Sequence, residues 1–248
     1  MQRWILGWLT FGLICTAVQA ADVSVAVAAN FSAPAQKLAQ AFEQDSGHRL
    51  RLSPGSTGSL YAQIRNGAPF QVLLAADDAT PFKLEQEGLG IAGTRMTYAT
   101  GRLALWSRQA GLVDAQGALL RSPQLQRLAV ANPRLAPYGA AAWEAMTNLG
   151  VLADLQPRLV QGDNIAQTYQ FVATGNAQAG FVALSQVLQD GQLREGSLWR
   201  VPQTLHTPLR QDAVLLKPGQ DSAAARALLA YLRSDKARTI IRSFGYEL

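Results

Sequence analysis

Four turns of this chain combine small hydroxyl, amide and glycine residues, and each lies between an apolar, strand-like run and a helix-like run. They are residues 29–32 (ANFS), 53–59 (SPGSTGS), 132–139 (NPRLAPYG) and 161–164 (QGDN). Such a turn presents backbone N–H groups at a helix N-terminus, which is the positive end of the helix dipole. The turns carry few charged side chains. The pattern therefore predicts a site for a small dehydrated oxyanion that is held by neutral donors.

Five residues in or directly after these turns are candidate ligand contacts. The first turn offers the backbone N–H and the side-chain amide of Asn30, the second offers the hydroxyls of Ser56 and Thr57, the third offers the Tyr138 phenol, and the helix start after the fourth offers the Ile165 N–H. Four of them have a competing structural interpretation. Asn30 could simply cap a helix, Ser56 and Thr57 could simply form a turn, and Tyr138 could pack in the core. Neutral donors favour a fully deprotonated tetrahedral dianion, because a donor-only pocket disfavours ligands that keep a proton on oxygen.

The sequence offers little chemistry for catalysis. His48 and His206 are the two histidines, and neither lies in a Ser-His-Asp order or an HExxH element. We therefore predict that the chain is not an enzyme. A secreted hydrolase that uses Asp77 or Asp163 with a hydroxyl nucleophile is the alternative from another class. We also expect no cofactor.

The first residues predict export. Residues 1–3 provide a short basic start, residues 4–18 are almost wholly apolar, and small residues precede Ala21. This is the pattern of a cleavable signal peptide over residues 1–20, so we expect a periplasmic protein. The single cysteine, Cys15, lies within this leader, which leaves no cysteine for a disulfide or a thiolate metal site.

The charge of the chain is mildly basic, with a formal net charge of +5. Its lysines and arginines are scattered and are not interleaved with aromatic residues. We therefore expect no nucleic-acid partner, and we expect a monomer.

Strand-like and helix-like runs alternate, which predicts an α/β fold of right-handed βαβ units with parallel sheets. The expected strands are residues 23–27, 49–53, 71–76, 128–132, 158–161 and 179–183. Ser32 is the expected N-cap of the first helix, and helices are expected over residues 59–66, 140–149, 164–174, 222–233 and 235–244.

Two long extended stretches, residues 96–107 and 205–216, break this alternation. Two crossings around a central block are what a two-lobed protein with a double hinge needs. We predict one lobe from residues 21–101 and 206–248 and a second from residues 102–205. A single α/β domain with an irregular edge is the alternative.

The same turns resemble a known family, the periplasmic molybdate-binding proteins of molybdate/tungstate ABC importers, over essentially the whole mature chain. The resemblance is carried by residues 25–31 (VAVAANF), 55–64 (GSTGSLYAQI), 66–69 (NGAP), 75–77 (AAD), 132–133 (NP), 136–139 (APYG) and 180–183 (GFVA). It implies a two-lobed, class II-like binding-protein fold with two doubly wound sheets, a two-strand hinge, and delivery of the ligand to an inner-membrane permease.

The resemblance also implies a donor set. The first lobe would contribute Asn30 with the Ala29–Asn30 turn and Thr57 with Ser56, and the second would contribute Tyr138 and the Ile165 N–H. Many members have a ligand-binding tyrosine where this chain has Ala183, and a small residue where it has Tyr138. The resemblance to a tyrosine-shifted subgroup implies that the phenol has moved from one turn to the other. Sulfate or phosphate is the alternative ligand from the same class.

Overall fold

The computed structural model describes residues 20–248, so the predicted leader up to residue 19, including Cys15, lies outside the described residues. The strands are β1 (Asp22–Ala28), β2 (Arg49–Gly55), β3 (Val72–Leu74), β4 (Met96–Gly101), β5 (Leu103–Ser107), β6 (Leu128–Ala131), β7 (Leu159–Gly162), β8 (Ala179–Ala183), β9 (Leu188–Gln189), β10 (Gln192–Leu193), β11 (Ser197–Arg200) and β12 (Leu209–Leu215). The helices are α1 (Ser32–Ser46), α2 (Thr57–Arg65), α3 (Ala79–Gln86), α4 (Pro137–Asn148), α5 (Leu152–Leu155), α6 (Ile165–Ala173), α7 (Leu184–Val187), α8 (Ala223–Tyr231) and α9 (Asp235–Ser243). Within residues 20–248, no helix has the length and apolar character needed to cross a membrane.

Two five-stranded sheets form the centre of the fold. The first has the order β2-β1-β3-β12-β4 and the second the order β11-β5-β8-β6-β7. The first sheet takes strands from the two ends of the described chain, whereas all strands of the second come from its middle. The predicted crossing over residues 96–107 divides into β4, which belongs to the first sheet, and β5, which belongs to the second. The α/β class with two doubly wound sheets is thus confirmed.

The sheets are mixed, so the expectation of purely parallel sheets was wrong. β1 pairs in parallel with β2 and β3, but β12 is antiparallel to both β3 and β4. In the second sheet β5 is likewise antiparallel to β8 and β11. Of the strands in these antiparallel pairs, β4, β5 and β12 lie within the two crossings, and β11 directly precedes the second. A chain that returns from one sheet to the other enters without a crossover helix, and so it can run in the opposite direction.

Three helices begin a few residues earlier than hydrophobic periodicity suggests. Ser32 is not an N-cap but the first residue of α1, since a 3-10 turn over Ala29–Phe31 already bends the chain. The helix expected from residue 59 begins at Thr57, because extended Ser56 caps it and accepts from the Ser59 N–H. The helix expected from residue 140 begins at Pro137. In the second crossing, β12 begins only after Pro208.

Each sheet is buried on both faces by helices. Val23, Val25 and Val27 of β1 pack with the apolar faces of α1, α8 and α9, whereas Ala26 points to the side covered by α2 and α3. The second sheet shows the same alternation, with α4 on one face and α6 and α7 on the other. This layering places the ends of several strands, and the helices that follow them, on one side of each sheet.

Gly180 of β8 provides a test of this packing. A methyl group at this position would lie 2.7 Å from the Val172 side chain, 2.9 Å from Ala129 Cβ and 3.0 Å from the Ala129 carbonyl oxygen. We expect Gly180→Ala to lower the free energy of unfolding by about 1–3 kcal/mol, measured by urea denaturation, because the β6 backbone cannot move aside. Gly55→Ala is the matched control, since its methyl group meets only the flexible Leu60 side chain at 3.1 Å. Equal losses in the two variants would contradict this account.

Candidate functional site

Ala29 and the five candidate contact residues all line one small cavity between the two sheets. Its walls are formed by Ala28, Ala29, Asn30, Gly55, Ser56, Thr57, Ala76, Ala136, Pro137, Tyr138 and Ile165. The cavity volume is about 10 Å³. Sites for organic ligands are typically about 300–1,000 Å³, so this cavity suits only a very small ligand. None of its lining residues carries a charge.

Three helices begin at this cavity, namely α2, α4 and α6. Asn164 caps α6, and its side-chain oxygen accepts from the N–H groups of Ala166 and Gln167 at 3.0 Å each. This cap leaves the N–H of Ile165, the first helical residue, without an acceptor among the residues that the structure describes. In α4, Pro137 has no N–H, so Tyr138 is the first residue with one. The cavity therefore receives unpaired donors and the positive ends of helix dipoles.

Thr57 has a free hydroxyl proton in this geometry. Its Oγ1 accepts from the Ala76 N–H at 3.0 Å, and the residue is buried. A hydroxyl that accepts one bond keeps its own proton to donate. The hydroxyl of Ser56 is more engaged, because it donates to Ser59 Oγ at 2.7 Å. Thr57 is thus the stronger side-chain donor of this turn.

Tyr138 also lines the cavity, with its side chain buried and its hydroxyl between Gln211 and the Tyr246 hydroxyl. The hydroxyl oxygen accepts from Gln211 Nε2 at 3.1 Å. Burial raises the pKa of the Tyr138 hydroxyl well above its usual value, so the group keeps its proton at neutral pH. Gly101 makes room for this contact, since a methyl group there would overlap the hydroxyl. Tyr138 is buried, but its polar end faces other polar groups.

The Asn30 side chain is not available as the sequence suggested. Its Nδ2 donates to Gln211 Oε1 at 3.0 Å and to the Tyr246 hydroxyl at 2.9 Å, which uses both N–H groups. What remains for a ligand at this turn is the backbone. The side chain instead holds the turn in place from behind.

Asn30 and Tyr138 belong to one buried hydrogen-bond network. Four of its residues were not predicted from the sequence, namely Tyr98, Ser185, Gln211 and Tyr246. All four are buried, and their hydrogen bonds connect Asn30 with Tyr138. One signal was present, because Arg210, Gln211 and Asp212 interrupt an otherwise apolar strand. A polar residue in a buried strand needs partners, but sequence spacing does not say which ones.

The two sides of the cavity are in direct contact. The Gly58 N–H donates to the Leu135 carbonyl at 2.8 Å, and Ser185 Oγ donates to the Asn30 carbonyl at 3.0 Å. A methyl group at Gly58 would lie 3.0 Å from the Leu135 backbone, so glycine permits this close approach. The structure is therefore that of a closed cleft.

A larger cleft of about 330 Å³ adjoins the cavity, but its chemistry is different. Its lining includes the carboxylates of Asp77, Asp78 and Glu144 and one cation, Arg134, so its net negative charge disfavours an anion. Burial raises the pKa of the Asp77 carboxyl, against hydrogen bonds from Thr80 that lower it. Asp163 is exposed at the start of α6.

The two histidines lie apart from the cavity lining. His48 Nδ1 accepts from the Ala21 N–H at 3.3 Å, and the buried His206 lies beside Thr207. Within residues 20–248, no cluster of three histidine, cysteine or acidic residues could hold a metal ion.

Comparison with known proteins identifies the family. The model of the bacterial extracellular solute-binding protein family matches residues 23–247. The chain belongs to this family. It is 55% identical over 237 residues to the molybdate-binding protein ModA of Azotobacter vinelandii, covering 96% of this chain and 94% of that protein. It is 48% identical over 239 residues to ModA of Rhodobacter capsulatus, covering 96% and 92%.

A solved structure agrees with this result. The periplasmic molybdate-binding protein of Azotobacter vinelandii superposes with a TM-score of 0.89 and 39% identity, covering 91% of this chain and 99% of that one. The resemblance to molybdate-binding proteins is thus confirmed. A solute-binding protein holds its ligand and catalyses no reaction. The chain is therefore a binding protein, and the hydrolase alternative is rejected.

The buried tyrosines are expected to lower the free energy of unfolding at high pH. Burial raises the pKa values of Tyr98 and Tyr138 well above 10.0 and that of Tyr246 to about 12. Each therefore contributes stability that is present below pH 10, the usual tyrosine pKa, and is lost as the pH rises toward the folded value. A single such group changes the free energy of unfolding by up to about 1.4 kcal/mol per pH unit.

We expect the stability difference between the wild type and Tyr138→Phe to be constant from pH 7 to 9. Above pH 10 the wild type should lose stability faster, measured by urea denaturation at each pH. Curves that stay parallel to pH 11 would show that Tyr138 ionises normally in the folded protein.

Proposed function

We propose that this protein captures molybdate or tungstate as a tetrahedral oxyanion and delivers it to an ABC importer. The single observation that carries the proposal is the small, closed, uncharged cavity on which three helix N-termini and two hydroxyl groups converge. A dianion leaving water needs many donors at once, and charge-assisted hydrogen bonds provide about 1.5–3 kcal/mol each. The relatives named as molybdate-binding proteins support the same ligand class.

The proposed donor set divides between the two sheets. On the side of the first sheet it consists of the backbone N–H groups of the Ala29–Asn30 turn and the Thr57 hydroxyl, with Ser56 at the helix start. On the side of the second sheet it consists of the Tyr138 hydroxyl and the Ile165 N–H. Neither half surrounds an ion by itself, so binding depends on both halves meeting.

We further propose that residues 21–101 and 206–248 form one lobe and residues 102–205 the other. The strand composition of the two sheets supports these boundaries. The two crossings near residues 102 and 206 would be the hinge. Closure would remove water from the ion and strengthen each donor contact as the local dielectric constant falls.

Partner and location follow from this function. The protein would act in the periplasm as a monomer without a cofactor, and its partner would be the permease of the importer in the inner membrane. The relative whose solved structure superposes well is named as periplasmic, which supports the location.

Sulfate and phosphate are the competing ligands, and calorimetry separates them from molybdate. A donor-only cavity disfavours hydrogen phosphate, whose proton requires an acceptor, whereas sulfate differs from molybdate mainly in size. We expect molybdate and tungstate to bind with similar affinity and to displace sulfate and phosphate. Tighter binding of sulfate than of molybdate would overturn the proposed ligand.

Tyr138→Phe removes one proposed donor while keeping the ring. We expect molybdate affinity to fall by a factor that corresponds to about 1–3 kcal/mol, measured by calorimetry. His48→Ala is the control, because His48 lies at the junction of α1 and β2, and it should leave affinity unchanged. Unchanged affinity in Tyr138→Phe would remove the phenol from the donor set.

Thr57 offers a matched pair of substitutions. Thr57→Ser keeps the hydroxyl that accepts from Ala76 and donates to the ligand, whereas Thr57→Val keeps the shape and loses the hydroxyl. We expect Thr57→Val to weaken molybdate binding by about 1–3 kcal/mol and Thr57→Ser to change it little. If both variants bind equally well, the Thr57 hydroxyl does not contact the ion.

A further inference from the structure

A continuous chain of hydrogen bonds runs behind the cavity from one side to the other. The Tyr246 hydroxyl lies 2.9 Å from the Asn30 carbonyl oxygen, and Asn30 Nδ2 lies 2.9 Å from the same hydroxyl. Asn30 Nδ2 is also 3.0 Å from Gln211 Oε1, and Gln211 Nε2 is 3.1 Å from the Tyr138 hydroxyl. Every member is buried. The chain therefore connects a backbone group at the first turn to the phenol at the third.

The direction of each bond in this chain follows from its first member. The Tyr246 hydroxyl has two acceptors, the Asn30 carbonyl oxygen at 2.9 Å and Ser185 Oγ at 3.0 Å, so its one proton points to one of these two and not to the Asn30 side chain. The Tyr246 oxygen must then accept, so the Asn30 side-chain atom that faces it is the nitrogen. That nitrogen also donates to Gln211, which sets the Gln211 oxygen toward Asn30 and its nitrogen toward Tyr138. The Tyr138 oxygen thus accepts from Gln211. Its proton can point to the cavity or to the nearby Tyr246 oxygen, which already accepts from Asn30 Nδ2, so an anion in the cavity competes for it.

Two further contacts hold Gln211 in this orientation. The Tyr98 hydroxyl lies 2.9 Å from the Ala75 carbonyl and 3.1 Å from Gln211 Oε1, so its proton faces two acceptors. At the end of β4, a methyl group on Gly101 would overlap both the Tyr138 hydroxyl and Gln211 Nε2. The backbone there approaches closely enough to leave the glutamine and the phenol little freedom.

We propose that Gln211 is a positioning residue that fixes the Tyr138 hydroxyl as a donor toward the cavity and thereby sets its selectivity for fully deprotonated oxyanions. Gln211 is outside the set of residues that line the cavity. It acts through Tyr138, and this inference rests on the proposed oxyanion function. A phenol that is free to rotate could accept a bond from a protonated oxyanion such as hydrogen phosphate. A phenol whose oxygen is already occupied by Gln211 offers only its proton, so a protonated ligand meets one more donor and no acceptor.

A double-mutant cycle distinguishes positioning from a general structural role. Affinities for molybdate, and for phosphate by displacement of molybdate, are measured by calorimetry on the full chain. The variants are Gln211→Met, Tyr138→Phe and the two combined, and thermal unfolding checks that each is folded. Thr97→Val is the matched control, since it removes a hydrogen bond to Asp212, the residue next to Gln211, without reaching Tyr138.

We expect Gln211→Met to lower molybdate affinity by about tenfold in the wild-type background, the effect of one hydrogen bond to a charged group. In the Tyr138→Phe background we expect a loss of less than about twofold, because the group that Gln211 positions is gone. The ratio of molybdate to phosphate affinity should also fall in Gln211→Met, and Thr97→Val should change neither quantity. If Gln211→Met does not fold, Gln211→Asn serves instead, since its amide is too short to span from Asn30 to Tyr138.

Equal losses in both backgrounds, or an unchanged affinity ratio, would show that Gln211 only supports the fold. A gain in molybdate affinity would show that Tyr138 donates to Gln211, the reverse of the proposed direction. Both results overturn the inference and leave the proposed function standing. Failure of the wild-type chain to bind any tetrahedral oxyanion would overturn the proposed function and this inference together.

Discussion

The proposed ligand is a doubly charged ion, and its binding depends on the cost of taking that ion out of water without an opposite charge to receive it. A buried charge is tolerated only where hydrogen bonds replace its hydration shell. In the proposed site the replacement would consist of helix N-termini and hydroxyl groups, since no lining residue of the cavity is charged. Each donor is weak compared with an arginine. The donors must therefore be numerous, fixed in position and shielded from water.

This requirement explains why the cavity lies between two sheets. One sheet with its helices can present two or three helix starts on one side of an ion, but it leaves the other side in water. A second sheet supplies the opposite half, and contacts such as Gly58 with Leu135 seal the edge. Binding strength then depends on how well the two halves fit together as much as on the contact atoms themselves. A residue such as Gly58, which only lets the two halves approach closely, would affect ligand binding for that reason.

The sequence predicted the parts of this arrangement that depend on local signals. The turns between strands and helices pointed to six of the eleven residues that line the cavity, and the length of the stretch over residues 96–107 indicated a crossing between sheets. Strand direction was not predictable, because β12 and β5 pair with partners that are distant in sequence. The network of Gln211 and Tyr246 was missed for the same reason. Its members are brought together only when the C-terminal segment packs against the first turn.

The missed residues also show why a donor's type does not determine its function. A phenol can donate or accept, and its neighbours decide which. For Tyr138 this neighbour is Gln211, which lies 73 positions away in sequence. An alternative placement of the phenol on another turn would need its own partner to hold the proton in the right direction. The position of a binding tyrosine and the buried amide behind it therefore form a single unit, and a change in one constrains the other.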